Sequence, residues 1–219
     1  MRRTPQEERD RQSEQLEAWQ NGVMKNSGLL IVFLLGICTF ESPAQTTWRV
    51  APGRSSIQFT VKHLVLLDVE GKFRKFEGTV VTQDESFMNA RIDATIYVES
   101  IYTGNQDRDK DLLGEDFFSA EKFPTISFTS RSVTKTGNDS YKITGNLTIR
   151  DVTKSIELVA RYIDRKELST REERMDISVT GSLNRFDYGL RWNALTETGS
   201  VIVGETVDLR LNIALLKGE

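Results

Sequence analysis

From residue 47 onward, apolar and polar side chains alternate with a period of two, and this pattern most narrows what the chain can fold into. Successive side chains on a strand point to opposite faces, so alternation over short runs predicts strands with one apolar and one polar face. In "SIQFTVKH", Ile57, Phe59, Val61 and His63 share a face opposite Gln58, Thr60 and Lys62. "ARIDATIYVES" repeats the pattern with Ile92, Ala94, Ile96 and Val98, and "TISFTS" with Ile126 and Phe128. Tyr141, Ile143, Leu147 and Ile149 share a face in "YKITGNLTIR", as do Ile156, Leu158, Ala160 and Tyr162 in "SIELVARY". Met175, Ile177, Val179 and Leu183 follow in "RMDISVTGSL", then Val207, Leu209, Leu211, Ile213 and Leu215 in "TVDLRLNIAL". With "KFRKFEGTVV" around Phe73 to Val81, the pattern predicts about eight strands, separated by turn-rich pieces such as "TKTGND".

One stretch breaks the alternation. "NQDRDKDLLGEDFFSAEKFP" predicts a short helical connection across one end of the sheet, with Asn105 as N-cap, a helical turn to Leu113 and Gly114 supplying a left-handed C-terminal residue. No internal repeat or low-complexity linker divides the rest, so residues 45–219 read as one domain.

Short antiparallel strands of this kind close into a barrel or stack as a sandwich. An outer-membrane barrel would turn the apolar face to lipid. Against that, His63 lies on the apolar face, the aromatics form no girdles, and the polar face carries mid-strand charges of both signs at Arg91, Asp93, Glu157 and Arg161. The expectation is a soluble all-β barrel of eight antiparallel strands with its apolar face inward. Side chains alone can fill an eight-strand barrel, so alternation leaves open whether the lumen is packed or hollow.

Ahead of this domain, the apolar run from Gly28 to Phe40 is 13 residues, shorter than the roughly 20 a membrane-spanning helix needs. Lys25, the Leu-rich run and the small residues Ser42 and Ala44 are the parts of a secretory signal, giving a signal peptide over residues 24–44 with cleavage near Ala44. A periplasmic or secreted destination follows. Lipidation at Cys38 would need a small residue where Ile37 stands. Residues 1–23 are polar and too poor in apolar groups to pack, and read as a disordered preamble or a start assigned upstream of Met24.

The formal net charge is -3 with interspersed signs, which gives no basic field for nucleic acid. The single cysteine, Cys38, lies in the signal, so the mature chain has no thiol for a disulfide, a nucleophile or a soft metal ligand. His63 is the only histidine, so any Ser-His-Asp arrangement would have to use it, and a histidine-rich metal site cannot be assembled. "DRDKD" resembles half an EF-hand loop, but Leu112 replaces its turn glycine and Phe118 its bidentate glutamate. No glycine-rich phosphate loop is present, and no carboxylate pair is marked out for glycosidase chemistry. No cofactor, metal site or catalytic group is expected.

Four motifs in order, "HLVLLDVEGKFRKFEG", "SIYTGNQDRDKDLLGEDFFSAEKFPTISF", "GNLTIRDVTKSIEL" and "NRFDYGL", resemble those of the YceI-like, polyisoprenoid-binding family of exported bacterial proteins, from about Trp48 to Leu215. The resemblance implies a lipocalin-like antiparallel barrel, extended by a helical segment, that holds an amphiphilic isoprenoid and is a carrier or store, not an enzyme. It carries over His63, Gly71, Phe73, Phe76, Gly78, Phe117, Phe118, Phe123, Pro124, Gly145, Leu147, Thr148, Thr153 and the Asn184 to Gly189 turn. Many members have histidines where Arg54 and Asp111 stand here. In such a lumen the ligand-binding groups would be Phe59, His63, Ile96, Phe128, Ile143, Leu147, Leu158, Met175, Ile177 and Leu209, with Phe117 and Phe118 closing one end. In the "NRFDYGL" turn, Gly189 is expected in a left-handed conformation and Arg185 bonded locally. The implied partner is a polyisoprenoid or other long-chain amphiphilic lipid, and homodimerisation through a strand edge stays open. Two alternatives remain: an enzyme acting on a lipid headgroup, and a stress-related binding protein without a lipid ligand.

Overall fold

A computed structural model describes residues 45–63, 67–84, 86–167, 173–192 and 203–218, the side chains of residues 63 and 67 excepted. The expected preamble and signal peptide lie outside the described residues.

Three lengths of the barrel wall are each broken in two, and Thr46–Val50, most of Leu67–Phe73 and Ile101–Tyr102 fall outside the runs in which strands were expected. The first comprises β1 (Thr46–Val50) and β2 (Ser56–His63), separated by a 3-10 turn at Pro52–Arg54. The second comprises β3 (Leu67–Phe73) and β4 (Phe76–Thr82), broken at Arg74 and Lys75. The third comprises β5 (Arg91–Tyr97) and the two-residue β6 (Ile101–Tyr102), separated by a 3-10 turn at Val98–Ser100. Helix α1 (Gln106–Leu113) follows, and then five long strands: β7 (Thr125–Lys135), β8 (Ser140–Ile149), β9 (Val152–Glu167), β10 (Glu173–Asn184) and β11 (Val203–Lys217).

All pairings are antiparallel. From β7 to β11 each strand pairs with the next, β5 pairs with β7 and β4, and β4 pairs with β1. The ring closes where β1 and β2 both pair with β11 at different heights, as in Trp48 opposite Lys217 and Phe59 opposite Leu209. Counted as staves, the eleven described strands make a closed barrel of eight. The breaks sit side by side: the Arg74 amide donates to the Ser100 carbonyl at 3.1 Å and the Tyr97 amide to the Lys75 carbonyl at 3.0 Å. At the first break, the Ser55 hydroxyl donates to Ala51 O at 2.8 Å and accepts from the Ala214 amide at 3.0 Å, so interrupted ladder groups stay satisfied.

The apolar face points inward, and the core runs around the inner wall through Trp48, Ile57, Phe73, Phe76, Ile126, Val133, Ile143, Leu158, Met175 and Leu215. Charged pairs such as Arg91–Asp93 and Lys142–Glu157 lie on the outside. Strict alternation fails once in β9. Asp176 pairs with Asp164 and Ile177 with Tyr162, so Ile163 is an extra, outward-facing residue in a bulge, 59% exposed. The bulge turns Arg165 onto the inner face, opposite Met175.

The helix is capped as expected: the Asn105 side-chain oxygen accepts from the amides of Asp107 and Arg108, both at 3.0 Å. Gly114 is a correction. Its φ of -69° is ordinary extended backbone, and the left-handed residue that turns the chain there is Ser119, at φ 49°. Ser119 can take that role because its amide donates to Gly114 O at 2.8 Å while the Phe118 amide returns to Leu112 O at 3.0 Å. Gly189 is left-handed at φ 75°, as the turn requires.

Candidate functional site

The barrel is hollow, with an internal cavity of about 990 Å³. Two glycines show how an eight-strand barrel keeps that space. The Phe59 ring lies against Gly71, where a β-carbon would meet it at 2.2 Å, and the Phe128 ring lies against Gly145, where a β-carbon would meet it at 2.3 Å. Each ring is laid flat along the wall over a residue without a side chain and leaves the axis clear.

Phe59, Ile96, Phe128, Ile143, Leu147, Leu158, Met175, Ile177 and Leu209 all line this cavity, and so do Phe117 and Phe118. The His63 side chain lies outside the described groups; its backbone ends β2.

Phe117 and Phe118 sit at the α1 end. Phe118 meets Phe73 edge-on with ring centroids 6.1 Å apart, and Phe117 packs on Trp192 at 5.2 Å. Arg150 donates to Phe117 O at 3.1 Å, tying this segment to the β8–β9 turn. Thr103 anchors α1 from the other side: its amide and hydroxyl donate to Asp109 Oδ1 at 2.8 and 2.6 Å, and it accepts from Arg108. Arg185, buried at 4% exposure, also lines this end. Its guanidinium donates to the carbonyls of Leu190 (2.6 Å), Trp192 (2.8 Å), Gly204 (2.8 Å) and Val203 (3.0 Å). Those bonds join the turn after β10 to the start of β11. Burial pushes the Arg185 pKa below its ordinary value, because desolvation disfavours the charged form, and Glu205 partly opposes this.

The opposite end is built differently. On one side, Phe87 in the β4–β5 connection turns in at a left-handed φ of 57° and packs on Trp48, ring centroids 5.8 Å apart. On the other side are Tyr141, Tyr162, Asp139 and Arg165. Arg165 pairs with Glu173, which also accepts from Lys217 Nζ at 3.2 Å, and Lys217 stands over the Trp48 ring at 5.9 Å. The hydrogen bond from Arg165 holds the Glu173 carboxyl below the usual range, with Lys217 adding to it, although burial acts the other way. Burial raises the Tyr162 phenol.

Sequence reasoning left Tyr141 and Tyr162 out of the site although it placed both on the apolar face. Arg165 was hidden by the bulge, and Phe87 by lying in a loop without periodicity. Among the described residues, no group of three or more His, Cys, Asp or Glu side chains is placed to hold a metal ion.

Comparison with known proteins agrees with this architecture. The model of the YceI-like domain matches residues 48–215. A UPF0312 protein of Staphylococcus aureus N315 is 33% identical over 164 residues, covering 74% of this chain and 92% of its own. The crystal structure of a Campylobacter jejuni YCEI mutant is 30% identical, with a TM-score of 0.62 over 72% of this chain and 90% of that one. A polyisoprenoid-binding domain from Saccharophagus degradans shares the fold at 15% identity, with a TM-score of 0.57 over 77% of this chain and 97% of its own. With its matched span, its closed barrel and its helical insertion, this chain belongs to the YceI-like family.

Proposed function

We propose that this protein is an exported, non-catalytic carrier that holds an amphiphilic polyisoprenoid, an isoprenoid quinone or a polyprenyl lipid, inside its barrel. One observation carries the reading: an apolar cavity of about 990 Å³ runs through the fold and is walled by phenylalanine, leucine, isoleucine and methionine. That volume is at the upper end for small-molecule sites. At about 30 Å³ per water-sized group it admits roughly thirty carbon-sized groups, or roughly six isoprene units. Each buried CH2-sized group returns about 0.8 kcal/mol, so even a partly buried tail exceeds the ordering cost of binding. The likeness to a polyisoprenoid-binding domain of the same fold supports the ligand class.

Native mass spectrometry of the protein purified from its host, before and after organic extraction, tests the reading. A co-purifying mass that extraction removes, and that fragments as an isoprenoid, is the expected result. A chain that neither retains such a mass nor takes up added polyprenyl lipid would overturn it.

A further inference from the structure

We infer that Phe87 sets the length of tail this barrel selects: its ring is the stop against which the last isoprene unit rests, at the end of the cavity remote from α1. This rests on the carrier reading and adds chain-length selectivity to it.

Three observations lead there. First, Phe87 reaches the cavity from beyond the wall. β4 ends at Thr82 and β5 begins at Arg91, so the residue belongs to the connection at the barrel rim, yet its ring borders the lumen. Among the described residues lining this end, the other rings, Tyr141 and Tyr162, stand on β8 and β9. A side chain standing off a strand sets the girth of a barrel, whereas one that folds in over the rim sets its depth.

Second, what lies behind the ring is aromatic and closed off from the cavity. Phe87 packs on Trp48 with ring centroids 5.8 Å apart, and Trp48, 3% exposed, does not itself border the lumen. Removing the ring would carry the lumen through to the indole. Six ring carbons occupy about the space of one five-carbon isoprene unit, in a cavity that holds roughly six such units.

Third, the backbone accepts strain to keep the ring in place. At φ 57° Phe87 is left-handed, which crowds the β-carbon and is unusual for a bulky residue. The connection is pinned around it: the Ala90 amide donates to Phe87 O at 3.2 Å, the Asn89 amide to Val133 O on β7 at 3.0 Å, and the Ser86 amide to Asp84 Oδ1 at 2.8 Å. Glycine would take this conformation freely, so a ring held here against its backbone preference points to a use for the ring.

The tail rather than the head meets Phe87. More of the exposed, charged lining gathers at the α1 end, in Lys110, Asp111, Glu115 and Asp116, than at this one, in Asp139 and Arg165. A polar head stays where charge and water are.

The test uses a series of prenyl alcohols, each one unit longer than the last, that brackets about six units. Affinities are read by displacement of a fluorescent polyene alcohol from the full chain and from its F87A and F87G variants. For the unaltered protein affinity should rise with length to about six units and then level off. In both variants the break should move out by about one unit, and the first alcohol beyond the original break should bind about tenfold tighter than it does to the unaltered protein. F87G keeps the measurement open if F87A folds poorly, since glycine relieves the left-handed backbone. A break that stays in place, with or without weakening across the whole series, would reduce Phe87 to a packing role and overturn the inference while leaving the carrier reading intact. An equal outward shift in F117A, at the α1 end, would do the same. Failure of the unaltered protein to bind any member of the series would overturn both. A crystal of the unaltered protein with an alcohol of about six units, brominated at the end far from its hydroxyl, gives an answer independent of the variants. Anomalous density against Phe87 is expected, and density beside Trp192 would refute the assignment.

Discussion

The Phe59 ring lies so close over Gly71 that a β-carbon there would stand 2.2 Å from its Cζ. Substituting Gly71→Ala should force the ring off the wall and into the lumen. Overpacking of this kind costs about 1–3 kcal/mol, seen as a lower urea midpoint, and the displaced ring should also reduce the lipid retained per protein. Adding Phe59→Leu in the same chain should restore much of both, because the shorter side chain relieves the clash. If Gly71→Ala alone leaves lipid content unchanged, the ring is not what keeps the axis clear.

Arg185 is expected to be the most sensitive polar position in the domain. Arg185→Met leaves four carbonyls without their donor and should lower stability by about 3 kcal/mol. Arg185→Lys should recover only part of this, since one ammonium has three donors and cannot reproduce the planar fork. Urea denaturation of the three proteins measures the ranking.

The α1 cap acts locally. Asn105→Ala removes the acceptor for two amides and should cost about 1 kcal/mol. Hydrogen exchange should accelerate over residues 106–113 and stay unchanged in β8 to β10. A loss spread evenly through the barrel would contradict a purely local role.

Acid should weaken the barrel through Glu173. Its carboxyl is held below the ordinary range in the folded state, mainly by Arg165 and then by Lys217. The folded group therefore binds its proton less readily than the unfolded one. The stability it contributes is complete above the unfolded glutamate value of about 4.3 and is lost as pH falls through the folded value. Glu173→Gln should flatten the acid limb of a melting-temperature profile and lower the plateau near neutrality. A variant profile parallel to the parent's would show that the pair contributes nothing.

The long strands were legible wherever their alternation runs uninterrupted: Ile143, Leu147, Leu158, Met175, Val179 and Leu209 all lie on the inner wall as the pattern demands. The helix was legible from Asn105 and the loss of periodicity. What could not be read are the places where backbone geometry departs without a residue that announces it. Pro52 and Gly53 hint at the first break and the three-residue spacing of Phe73 and Phe76 at the second, but "YVES" continues the alternation straight through the third. The bulge at Ile163 reverses the faces with no glycine to mark it, so strict alternation points Asp164 inward where the fold points Arg165. The hollowness of the lumen was equally hidden, since it depends on which strand sets Gly71 beside Phe59 and Gly145 beside Phe128. Pairing register creates that space.

The two ends of the barrel are fastened by different chemistry. A guanidinium does not lose its proton at any physiological acidity or alkalinity, and carbonyls have none to gain, so the clasp made by Arg185 is indifferent to its surroundings. The clasp at the other end depends on a carboxylate and loosens when that group is neutralised. One vessel therefore has a door frame that ignores souring and a floor that yields to it.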